Sequence, residues 1–445
     1  MNHRITVRDE LEKEIAAQGH SLSHFSKISG INRGILSATL NGNPPKPISI
    51  KQLDQMTHAL EKEEGWLYEQ FMNECFEDGK ANWRRVRSLL VRCVELELIN
   101  IIESALYRLL ENLIYIKYVF DFAEELFNSK NRENLLPFYK CVVIHERDFH
   151  SERLAISQYR IFRLSMSNDL ENNFRLSMIF APFRNYLPDY MLLDALLILA
   201  NISYTIHDWK TVKQYADELI YLTNIVYKRE NLKRDKQKTY MPLNTERPLV
   251  VYYAKSHLFN FIVLHRECNY KEAEKYIEHF ADLSWFEGLD EAGLLEVERF
   301  KIYGLANKYT IKMLLGEKEY LKNYINFMNK YPDEQLVSLY IIFKSSNLHD
   351  WNVDYLLNEY NFVLYPADIM TVVFSDSYYI DVRLSQYINL YYEIALYQCN
   401  KGKYDDKLEK ILLALESTVT KYNKSRILDC LELFKKLRLI SKNGN

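Results

Sequence analysis

Residues 21–42, SLSHFSKISGINRGILSATLNG, predict two short helices separated by a sharp turn. Ser21 is a favourable N-cap for the first helix, because its hydroxyl can accept a hydrogen bond from a backbone N–H of the first turn. Gly30 stands where the chain must turn, and Asn-Gly follows the second helix. Three apolar residues at helical spacing predict one buried face of the first helix: Leu22, Phe25 and Ile28.

The second helix has two faces of different chemistry, and Asn32 can cap its start. Its predicted apolar face consists of Ile31, Ile35, Leu36 and Leu40. The residues predicted to face outward near its start are Asn32, Arg33, Gly34 and Ser37. These residues are small or form hydrogen bonds, so they suit a helix that lies against a groove of DNA.

This stretch resembles the helix-turn-helix of the phage-repressor (Cro/cI, or Xre) family. The matching residues are Ser21, Phe25-Ser26, Gly30-Ile31, Arg33, Leu36-Ser37 and Asn41-Gly42. Further on, four apolar residues match the helix that closes this small domain in the family: Ile48, Leu53, Met56 and Leu60. The resemblance covers about residues 6–71 and implies a five-helix DNA-binding domain within residues 1–75. The alternative is a helical hairpin without a DNA role.

The second helix is the predicted DNA-reading element, with Arg33 as the candidate for a base-edge contact beside Asn32, Gly34 and Ser37. The residues expected to contact the DNA backbone are Ser21, Ser23, Lys27, Asn41 and Lys46. No acidic residue occurs from Ile15 to Leu53, a window that contains the bases Lys27, Arg33, Lys46 and Lys51. A basic window inside a chain of net charge −3 suits contact with phosphate, and chance clustering is the alternative.

Composition favours an all-α fold for the whole chain. Its 445 residues are more than one small domain needs, and only 12 of them are Gly and 10 are Pro. No apolar run approaches the roughly 20 residues of a membrane span, and the N-terminus has no apolar signal core. The six cysteines are scattered without a CxxC pair, which favours reduced thiols. We therefore expect a cytoplasmic location and no membrane contact.

Two basic segments each have two interpretations. Residues 76–92 are the predicted linker between domains, and their helix carries Arg84, Arg85, Arg87 and Arg92. These arginines either contact DNA phosphate or form a solvated helix face. Residues 228–248, KRENLKRDKQKTYMPLNTERP, are predicted to be an exposed non-helical loop. That loop is either a second nucleic-acid contact or a solvated run of charges.

Beyond residue 93 the sequence predicts helix after helix, and five of the breaks share a polar turn that leads into an amphipathic helix. The turns are His207-Asp208-Trp209, Cys268-Asn269-Tyr270, Gly316-Glu317-Lys318, His349-Asp350-Trp351 and Gly402-Lys403-Tyr404. They resemble the turns of degenerate tetratricopeptide (TPR) repeats, with Ala216 and Ala273 at the alanine position of the repeat. The resemblance implies a TPR-like α-solenoid over residues 93–445, and an irregular helical bundle is the alternative.

The sequence contains no known catalytic or metal-binding motif. His145 and His150 lie near acidic residues, but their spacing differs from that of HExxH. On one helix these two side chains would point about 140° apart. No P-loop, GxGxxG or GxSxG pattern is present. We expect no enzyme activity, no metal and no cofactor.

An Xre-type helix-turn-helix followed by a degenerate TPR array resembles the RRNPP group of bacterial regulators and the arbitrium receptors of phages. The resemblance implies a transcription regulator that is switched by a short quorum-sensing peptide bound in the concave face of the solenoid. Two alternatives stay open. One is a TPR protein that acts on a response regulator or another protein partner, and the other is a dimeric repressor without a ligand.

In a TPR array the first helix of each pair lines the concave face. The predicted peptide-binding residues on these helices are Asn201, Tyr204, Asn260, Arg299, Tyr303, Asn307, Asn389 and Tyr392. Asn can pair with the backbone of an extended peptide and Arg with its terminal carboxylate, although Asn can also satisfy helix ends and turns. Because one small domain covers little DNA, we expect a homodimer, with residues 386–439 as its predicted surface.

Overall fold

The computed structural model describes residues 6–77, 80–129, 134–167, 169–236, 241, 243–360, 380–403, 408–409 and 411–413. Within these residues the regular structure is helical, apart from one short antiparallel hairpin. The all-α prediction is therefore confirmed. The chain divides into two compact units, residues 1–195 and residues 196–445.

The first unit begins with five short helices and a hairpin. Its elements are α1 (Val7–Ala17), α2 (Leu22–Ser29), α3 (Arg33–Leu40), α4 (Ile50–Ala59), α5 (Tyr68–Asn73), β1 (Phe76–Glu77), β2 (Lys80–Ala81), α6 (Trp83–Glu95), α7 (Ile99–Leu109), α8 (Tyr115–Asn128), α9 (Leu136–His145), α10 (Glu152–Ser165), α11 (Leu170–Phe180) and a 3-10 helix at Ala181–Tyr186. The next helix, α12 (Asp189–Thr205), contains the boundary between the units.

The second unit continues with longer helices. They are α13 (Trp209–Lys236), α14 (Leu249–Arg266), α15 (Tyr270–Ala281), α16 (Glu291–Leu314), α17 (Leu321–Lys330), α18 (Gln335–His349), α19 (Asp354–Glu359) and α20 (Ile380–Asn400). Short 3-10 helices at Lys318–Tyr320 and Pro332–Glu334 precede α17 and α18.

Side-chain caps set the starts of α1 and α4. The Asp9 N–H donates to the Thr6 hydroxyl (3.2 Å), and the Thr6 N–H donates to the Asp9 carboxylate (2.8 Å), which forms a capping box for α1. Ser49 and Gln52 form the same arrangement at α4. A cap of this kind stabilises a helix by about 1 kcal/mol, so these starts are encoded by adjacent residues.

The turn between α2 and α3 forms where the sequence predicts it. Gly30 ends α2 in the left-handed conformation, with a φ of 69°, which a residue without Cβ adopts at no steric cost. The Ser26 hydroxyl donates to the Ile31 carbonyl (2.6 Å) across this turn. Phe25 and Leu36 are buried, so the two helices are fixed to a common core.

Two apolar predictions in this helix pair are wrong. The side chains of Ile28 and Ile35 are 42% and 37% exposed. The inward face of α2 is set by Phe25 and Ser29, which are four residues apart, so Ile28 points away from the core. Leu36 likewise defines the inward face of α3 together with Leu40, and Ile35 lies beside that face. Helical spacing alone does not distinguish these neighbouring rows of residues.

The segment predicted to be a linker contributes to the core of the first unit. Buried residues from Val7 to Val142 form one apolar cluster, and Val86, Leu89 and Leu90 of α6 belong to it. Residues 76–77 and 80–81 form the hairpin that precedes α6.

The basic face of α6 makes ion pairs within the protein. Arg92 pairs with Asp54 of α4 (3.0 Å), and Arg87 pairs with Glu125 of α8 (2.6 Å). Arg92 also bonds Glu95, which raises the pKa of its guanidinium above the ordinary value. These two arginines therefore stabilise helix packing, a role that neither interpretation of the segment included.

Helix ends in the second unit share one closing geometry at all five predicted turns. The left-handed residues are His207, Cys268, Gly316, Asp350 and Gly402. After each of them, a backbone N–H donates to the carbonyl five residues earlier: Asp208 to Ser203, Asn269 to Leu264, Glu317 to Lys312, Trp351 to Ser346, and Lys403 to Gln398, at 2.9–3.1 Å. This is the Schellman closure of a helix. It accepts several residue types, which explains why the five turns share a shape without a strict motif.

Alternate helices of the second unit contact one another in a row. α14 contacts α16, α16 contacts α18, and α18 contacts α20. One apolar cluster includes Phe280 and Phe300 of α15 and α16, and another includes Leu339 and Ile394 of α18 and α20. The core of this unit is therefore shared between neighbouring helices along the row.

The prediction of a non-helical loop at residues 228–248 is wrong for residues 228–236, which continue α13. This part is rich in Lys, Arg and Glu, which are good helix formers. The buried Glu230 accepts a hydrogen bond from Lys233 (2.8 Å), a pair at i,i+3 spacing. Tyr227 packs on Phe286, with ring centroids 4.2 Å apart, so the helix has a surface to bury against. Residues 237–240 and 242 lie outside the described residues.

Candidate functional sites

All nine residues predicted to contact DNA are exposed at the surface of the first unit. They lie on α2, on α3 and in the segments around them: Ser21, Ser23, Lys27, Asn32, Arg33, Gly34, Ser37, Asn41 and Lys46. Leu36 and Leu40 on the opposite side of α3 are buried. The structure thus places the predicted contact residues on the outer surface of one helix pair.

Two of these nine side chains also set the helix starts. The Asn32 side chain accepts a hydrogen bond from the Gly34 N–H (2.8 Å), and the Ser21 hydroxyl accepts one from the His24 N–H (3.2 Å). A Cβ at Gly34 would lie 3.2 Å from the Asn32 side-chain oxygen, so a residue without a side chain suits this cap.

The basic side chains in residues 15–53 form no ion pair within the described part of the chain. Lys27, Arg33, Lys46 and Lys51 are exposed, and none forms an ion pair with another described residue. Glu14, which precedes this stretch of sequence, bonds Lys62 (2.7 Å), and this bond lowers the pKa of its carboxyl. Lys27, Arg33 and Lys46 lie on α2, on α3 and in the segment that follows, and positive charge there favours contact with phosphate.

Two arginines behind this surface hold the segment that carries Asn41 and Lys46. Arg8 donates from Nε to the Thr39 carbonyl (3.0 Å) at the end of α3, and from Nη2 to the Lys46 carbonyl (3.2 Å). Its Nη1 pairs with Glu74 of α5 (2.7 Å).

Arg85 of α6 is the second arginine, and it contacts the same Glu74 carboxylate as Arg8. Its guanidinium donates to the carbonyls of Glu74 (2.7 Å) and Ile48 (3.2 Å), and it lies 3.3 Å from the Glu74 carboxylate. One carboxylate therefore joins two arginines, which together bond four backbone carbonyls. We call Arg8, Glu74 and Arg85 the arginine brace. No local pattern in the sequence indicates a role for Arg8 or Glu74, because this cluster joins residues far apart in the chain.

The eight predicted peptide-binding residues lie on four helices of the second unit. Asn201 and Tyr204 are on α12, Asn260 on α14, Arg299, Tyr303 and Asn307 on α16, and Asn389 and Tyr392 on α20. The Tyr204 ring lies 6.4 Å from the ring of Phe259, the neighbour of Asn260. Along α16, Arg299 and Asn307 are two turns apart, a rise of about 12 Å.

Asn260 does not present its amide to solvent. Its side chain is 1% exposed, and its amide nitrogen donates to Asp217 of α13 (3.0 Å). Its oxygen accepts a hydrogen bond from Lys213 (3.2 Å), which also pairs with Asp217 (3.2 Å). The amide is thus used in packing α14 on α13, a role that differs from both the peptide contact and the helix-end contact considered for it from the sequence.

Arg299 and Asn307 remain accessible. Arg299 is exposed and pairs with Glu296 in the preceding turn (2.7 Å), while Asn307 is partly exposed without a hydrogen bond to another described residue. Lys255 of α14 belongs to the same charged region. Burial lowers the pKa of its ammonium, Arg247 lowers it further, Glu296 raises it, and Arg299 lowers it. The exposed guanidinium of Arg299 could bond a ligand carboxylate.

The amides of α18 and α20 contain a feature that the sequence analysis missed. The Asn389 side-chain oxygen is buried without a hydrogen-bond partner, and so is that of Asn347 on α18. Asn347 also bonds Glu393 of α20 (2.8 Å). α18 lies in the same row as α14, α16 and α20, so the rule that selected the other asparagines also selects Asn347.

The rings of His257 on α14 and of Tyr276 and His279 on α15 pack together where these two helices meet. His257 is 6% exposed, its ring lies 4.4 Å from the ring of His279, and neither ring nitrogen has a hydrogen-bond partner. Burial, with a smaller effect of His279, lowers the pKa of His257 to about 4. Burial likewise lowers the pKa of His265 to about 4, with Lys344 and Arg266 adding to the effect.

The described residues place no metal-binding cluster on the protein. No group of three or more His, Cys, Asp or Glu side chains among them is arranged to hold an ion. α9 ends at His145, so His145 and His150 do not share a helix as assumed; His145 lies 2.8 Å from the Cys141 carbonyl, and the His150 ring packs on Tyr186. In the same described ranges, every helix is too short or too polar to cross a membrane.

Comparison of the chain with protein-family models, with curated proteins and with solved structures gives no match in any of the three. The resemblance to Xre-type and TPR proteins therefore rests on the residues and turns described above.

Proposed function

We propose that this protein is a DNA-binding transcription regulator whose affinity for DNA is controlled by a short peptide bound in the second unit. The observation that carries the proposal is the surface of α2 and α3. It combines a capped, exposed start of α3 with Lys27, Arg33 and Lys46, which form no ion pair among the described residues, and the segment that carries Lys46 is held by the arginine brace. In this proposal α2 and α3 act as an Xre-type helix-turn-helix, and α3 enters the major groove of double-stranded DNA.

We assign Arg33 to a contact with the edges of the DNA bases and Lys46 to a contact with the DNA phosphate backbone. Arg33 occupies the first turn of α3, where side chains of a groove-bound helix reach base edges. Lys46 lies in the segment held by the arginine brace and suits a phosphate contact.

The first test uses fragments selected from random DNA by the full chain. Arg33→Ala should weaken binding to the selected site by about 1–3 kcal/mol and relax its sequence preference, while Lys46→Ala should weaken all DNA alike and reduce the salt slope. Exposed Lys13→Ala on α1, outside the surface, is the matched control. If the Arg33→Ala protein protects the selected site in a footprinting assay at the same concentration as the wild type, the assignment of α3 as the DNA-reading helix is wrong.

The second unit is proposed to be a TPR-like solenoid that binds the peptide. The row from α14 to α20 supports this, because stacked helix pairs form an extended surface. We assign Asn201, Asn307 and Asn389 to peptide amides, Arg299 to a carboxylate, and Tyr204, Tyr303 and Tyr392 to side-chain selection. Asn260 is left out of this set because both ends of its amide are bonded within the protein.

Retention of the full chain on its selected DNA, with and without a pool of short peptides, tests the regulatory part. A change in retention supports a peptide receptor. No change, with DNA binding intact, supports the repressor without a ligand, and loss of all DNA binding supports a protein that acts on other proteins. We also propose a homodimer, because a pair of domains reads two half-sites. Of its predicted surface, residues 386–403, 408–409 and 411–413 are described, and residues 404–407, 410 and 414–439 lie outside the described residues.

A further inference from the structure

An open cavity of about 380 Å³ lies at the surface of the second unit, beside α17. It is lined by residues of segment 318–326, which contains a 3-10 helix and the start of α17, and by Tyr355 of α19. None of the eight predicted peptide-binding residues lines it. We call this space the α17 cavity. Its volume is at the lower end of the range for small-molecule sites, so it suits a small molecule or one residue of a longer chain.

Contacts within the fold hold both sides of the α17 cavity. The Tyr360 hydroxyl at the end of α19 donates to the side-chain oxygen of Asn329 on α17 (2.6 Å), and the two helices share one buried apolar cluster. The Lys318 ammonium lies 5.9 Å from the centre of the Trp351 ring, which is close to the limit of a cation–π contact. The cavity is therefore formed by packed elements before any ligand binds, as small-molecule sites usually are.

One row of lining residues is polar and consists of Lys318, Lys322 and Asn326, which follow one another at intervals of four residues. Among the described residues, none of these three side chains forms an ion pair or a hydrogen bond. Lys312, by contrast, pairs with two glutamates, at 3.1 and 3.2 Å. Two ammonium groups and an amide therefore offer N–H donors to the α17 cavity. We call these three residues the polar row.

Apolar groups line the same cavity. They are Leu321 and Ile325, which are four residues apart on α17, and the ring of Tyr355, whose side chain is 49% exposed. An exposed lysine without a partner is ordinary by itself, and so is an exposed apolar residue. Here both kinds of group line one concave space, so a ligand that fills it contacts ammonium groups and apolar surface at the same time.

Glu319 limits the charge that the α17 cavity can accept. It lines the same space as Lys318 and Lys322, so two positive charges and one negative charge leave one positive charge in excess. A single carboxylate matches this excess and has two oxygens that accept hydrogen bonds. A phosphate monoester carries about −1.5 to −2 at pH 7 and would be opposed more strongly by Glu319.

We propose that the α17 cavity binds a small amphipathic carboxylate, that is, one carboxylate on an aromatic or aliphatic body. The polar row donates hydrogen bonds to the carboxylate, and Leu321, Ile325 and the Tyr355 ring contact the apolar body. This site goes beyond the proposed peptide receptor, because it uses none of the residues assigned to the peptide. A free organic acid and a carboxylate-bearing residue of a peptide share this chemistry, and the experiments separate them.

The first experiment uses 3-phenylpropionate, which joins one carboxylate to an aromatic ring. Its binding to the full chain is measured by ligand-observed NMR. It should bind about tenfold more tightly than 3-phenylpropionamide, which lacks the charge, and than acetate, which lacks the ring. Equal binding of 3-phenylpropionate and its amide would overturn the inference.

Substitutions of exposed residues locate the site without disturbing the core. Lys322→Gln should weaken the binding of 3-phenylpropionate about fivefold, and Glu319→Gln should strengthen it about threefold because the opposing charge is removed. Lys330→Gln changes an exposed lysine of α17 outside the cavity, so it is the matched control and should bind like the wild type. If Lys322→Gln and Glu319→Gln both bind like Lys330→Gln, the probe is held elsewhere and the inference is wrong.

A displacement experiment separates the sources of the carboxylate. Random heptapeptides retained by the full chain should displace 3-phenylpropionate if the carboxylate belongs to a peptide, and they should leave it bound if the ligand is a separate organic acid. Binding of the probe in the α17 cavity without any retained peptide would remove the proposed peptide receptor and leave this inference standing. Retained peptides without any binding of the probe would do the reverse.

Discussion

The surface of α2 and α3 and the row of α14 to α20 differ in how their polar side chains are paired before any ligand binds. On α3 and around it, Arg33 and Lys46 are exposed and unpaired, and the partners that fix the backbone lie behind them in the arginine brace. In the row, Asn260 has both ends of its amide bonded, while Asn389 has a buried oxygen without a donor. Residue type therefore identifies a binding surface only when it is known whether each polar side chain is already bonded within the protein.

The difference follows from the ligand that each surface is proposed to take. An exposed cation remains solvated without a partner, so a DNA-contacting surface can leave its charges free. A buried amide loses its water and needs a partner within the protein unless a ligand supplies one. A buried amide without a partner in the second unit is therefore a candidate ligand contact, whereas an exposed cation without a partner in the first unit is not one by that fact alone.

The largest effect is expected from breaking the support behind the DNA-contacting surface. Arg8→Ala removes hydrogen bonds to the carbonyls of Thr39 and Lys46 and the ion pair with Glu74. It should destabilise the first unit by about 3 kcal/mol, since partly buried carbonyls and a carboxylate lose their donor. Hydrogen exchange of residues 36–48 measures this directly. Lys13→Ala, which removes an exposed pair with Glu10, should leave exchange unchanged.

The same variant tests whether the brace positions a DNA contact. If Arg8 acts by holding the segment that carries Lys46, the losses of DNA affinity in Arg8→Ala and Lys46→Ala should be less than additive in the double variant. Additive losses would show that Arg8 supports the fold without placing Lys46.

Acid should destabilise the second unit more than the first. His257 and His265 have pKa values lowered to about 4 by burial, below the unfolded value of 6.5, so the unfolded chain binds protons first as the pH falls. The stability that is present above pH 6.5 is then lost progressively toward pH 4, by roughly 2 kcal/mol per histidine at pH 5. His257→Phe should remove its share of this pH dependence. An unchanged profile of unfolding against pH in that variant would contradict the assignment.

The sequence predicted the parts of the molecule that depend on adjacent residues. The caps at Ser21 and Asn32 and the turn at Gly30 form where the sequence predicts them. The same applies to the five turns of the second unit, because a Schellman closure depends on one short stretch of backbone.

The contacts between distant residues were not predictable from the sequence. The arginine brace joins residues up to 77 positions apart, from Arg8 to Arg85, and no local pattern identifies its members. Residues 228–236 were misread because a charged run was taken as solvated, whereas Glu230 is buried among bases on α13. Asn260 and Asn389 follow the same sequence rule, and only their neighbours show that the side-chain oxygen of Asn260 is bonded and that of Asn389 is not.

Substitution of Asn260 and of Asn307 should have different effects on the stability of the second unit. Asn260→Leu should lower the stability of the second unit by about 1–2 kcal/mol, because Asp217 and Lys213 lose a buried partner. Asn307→Leu should change stability by less than about 0.5 kcal/mol, since its amide bonds no other described residue. Urea unfolding at neutral pH measures both. Equal effects of the two variants would mean that the bonding of Asn260 does not distinguish its role from that of Asn307.

The smallest effect is expected at Ile35, which the apolar pattern assigned to the core and the structure leaves 37% exposed. Ile35→Ser should cost less than about 1 kcal/mol, because little apolar area is lost and no closed cavity forms. Leu36→Ala at the next residue is the matched control: its side chain is 1% exposed, and its loss should cost about 3 kcal/mol. Denaturant midpoints of the first unit compare the two. If Ile35→Ser is as damaging as Leu36→Ala, then Ile35 is part of the core and the exposed surface of α3 is narrower than proposed. If it is harmless to the fold but weakens binding to thymine-containing sites, Ile35 belongs to the DNA-contacting surface, since an exposed apolar side chain there can contact a thymine methyl group.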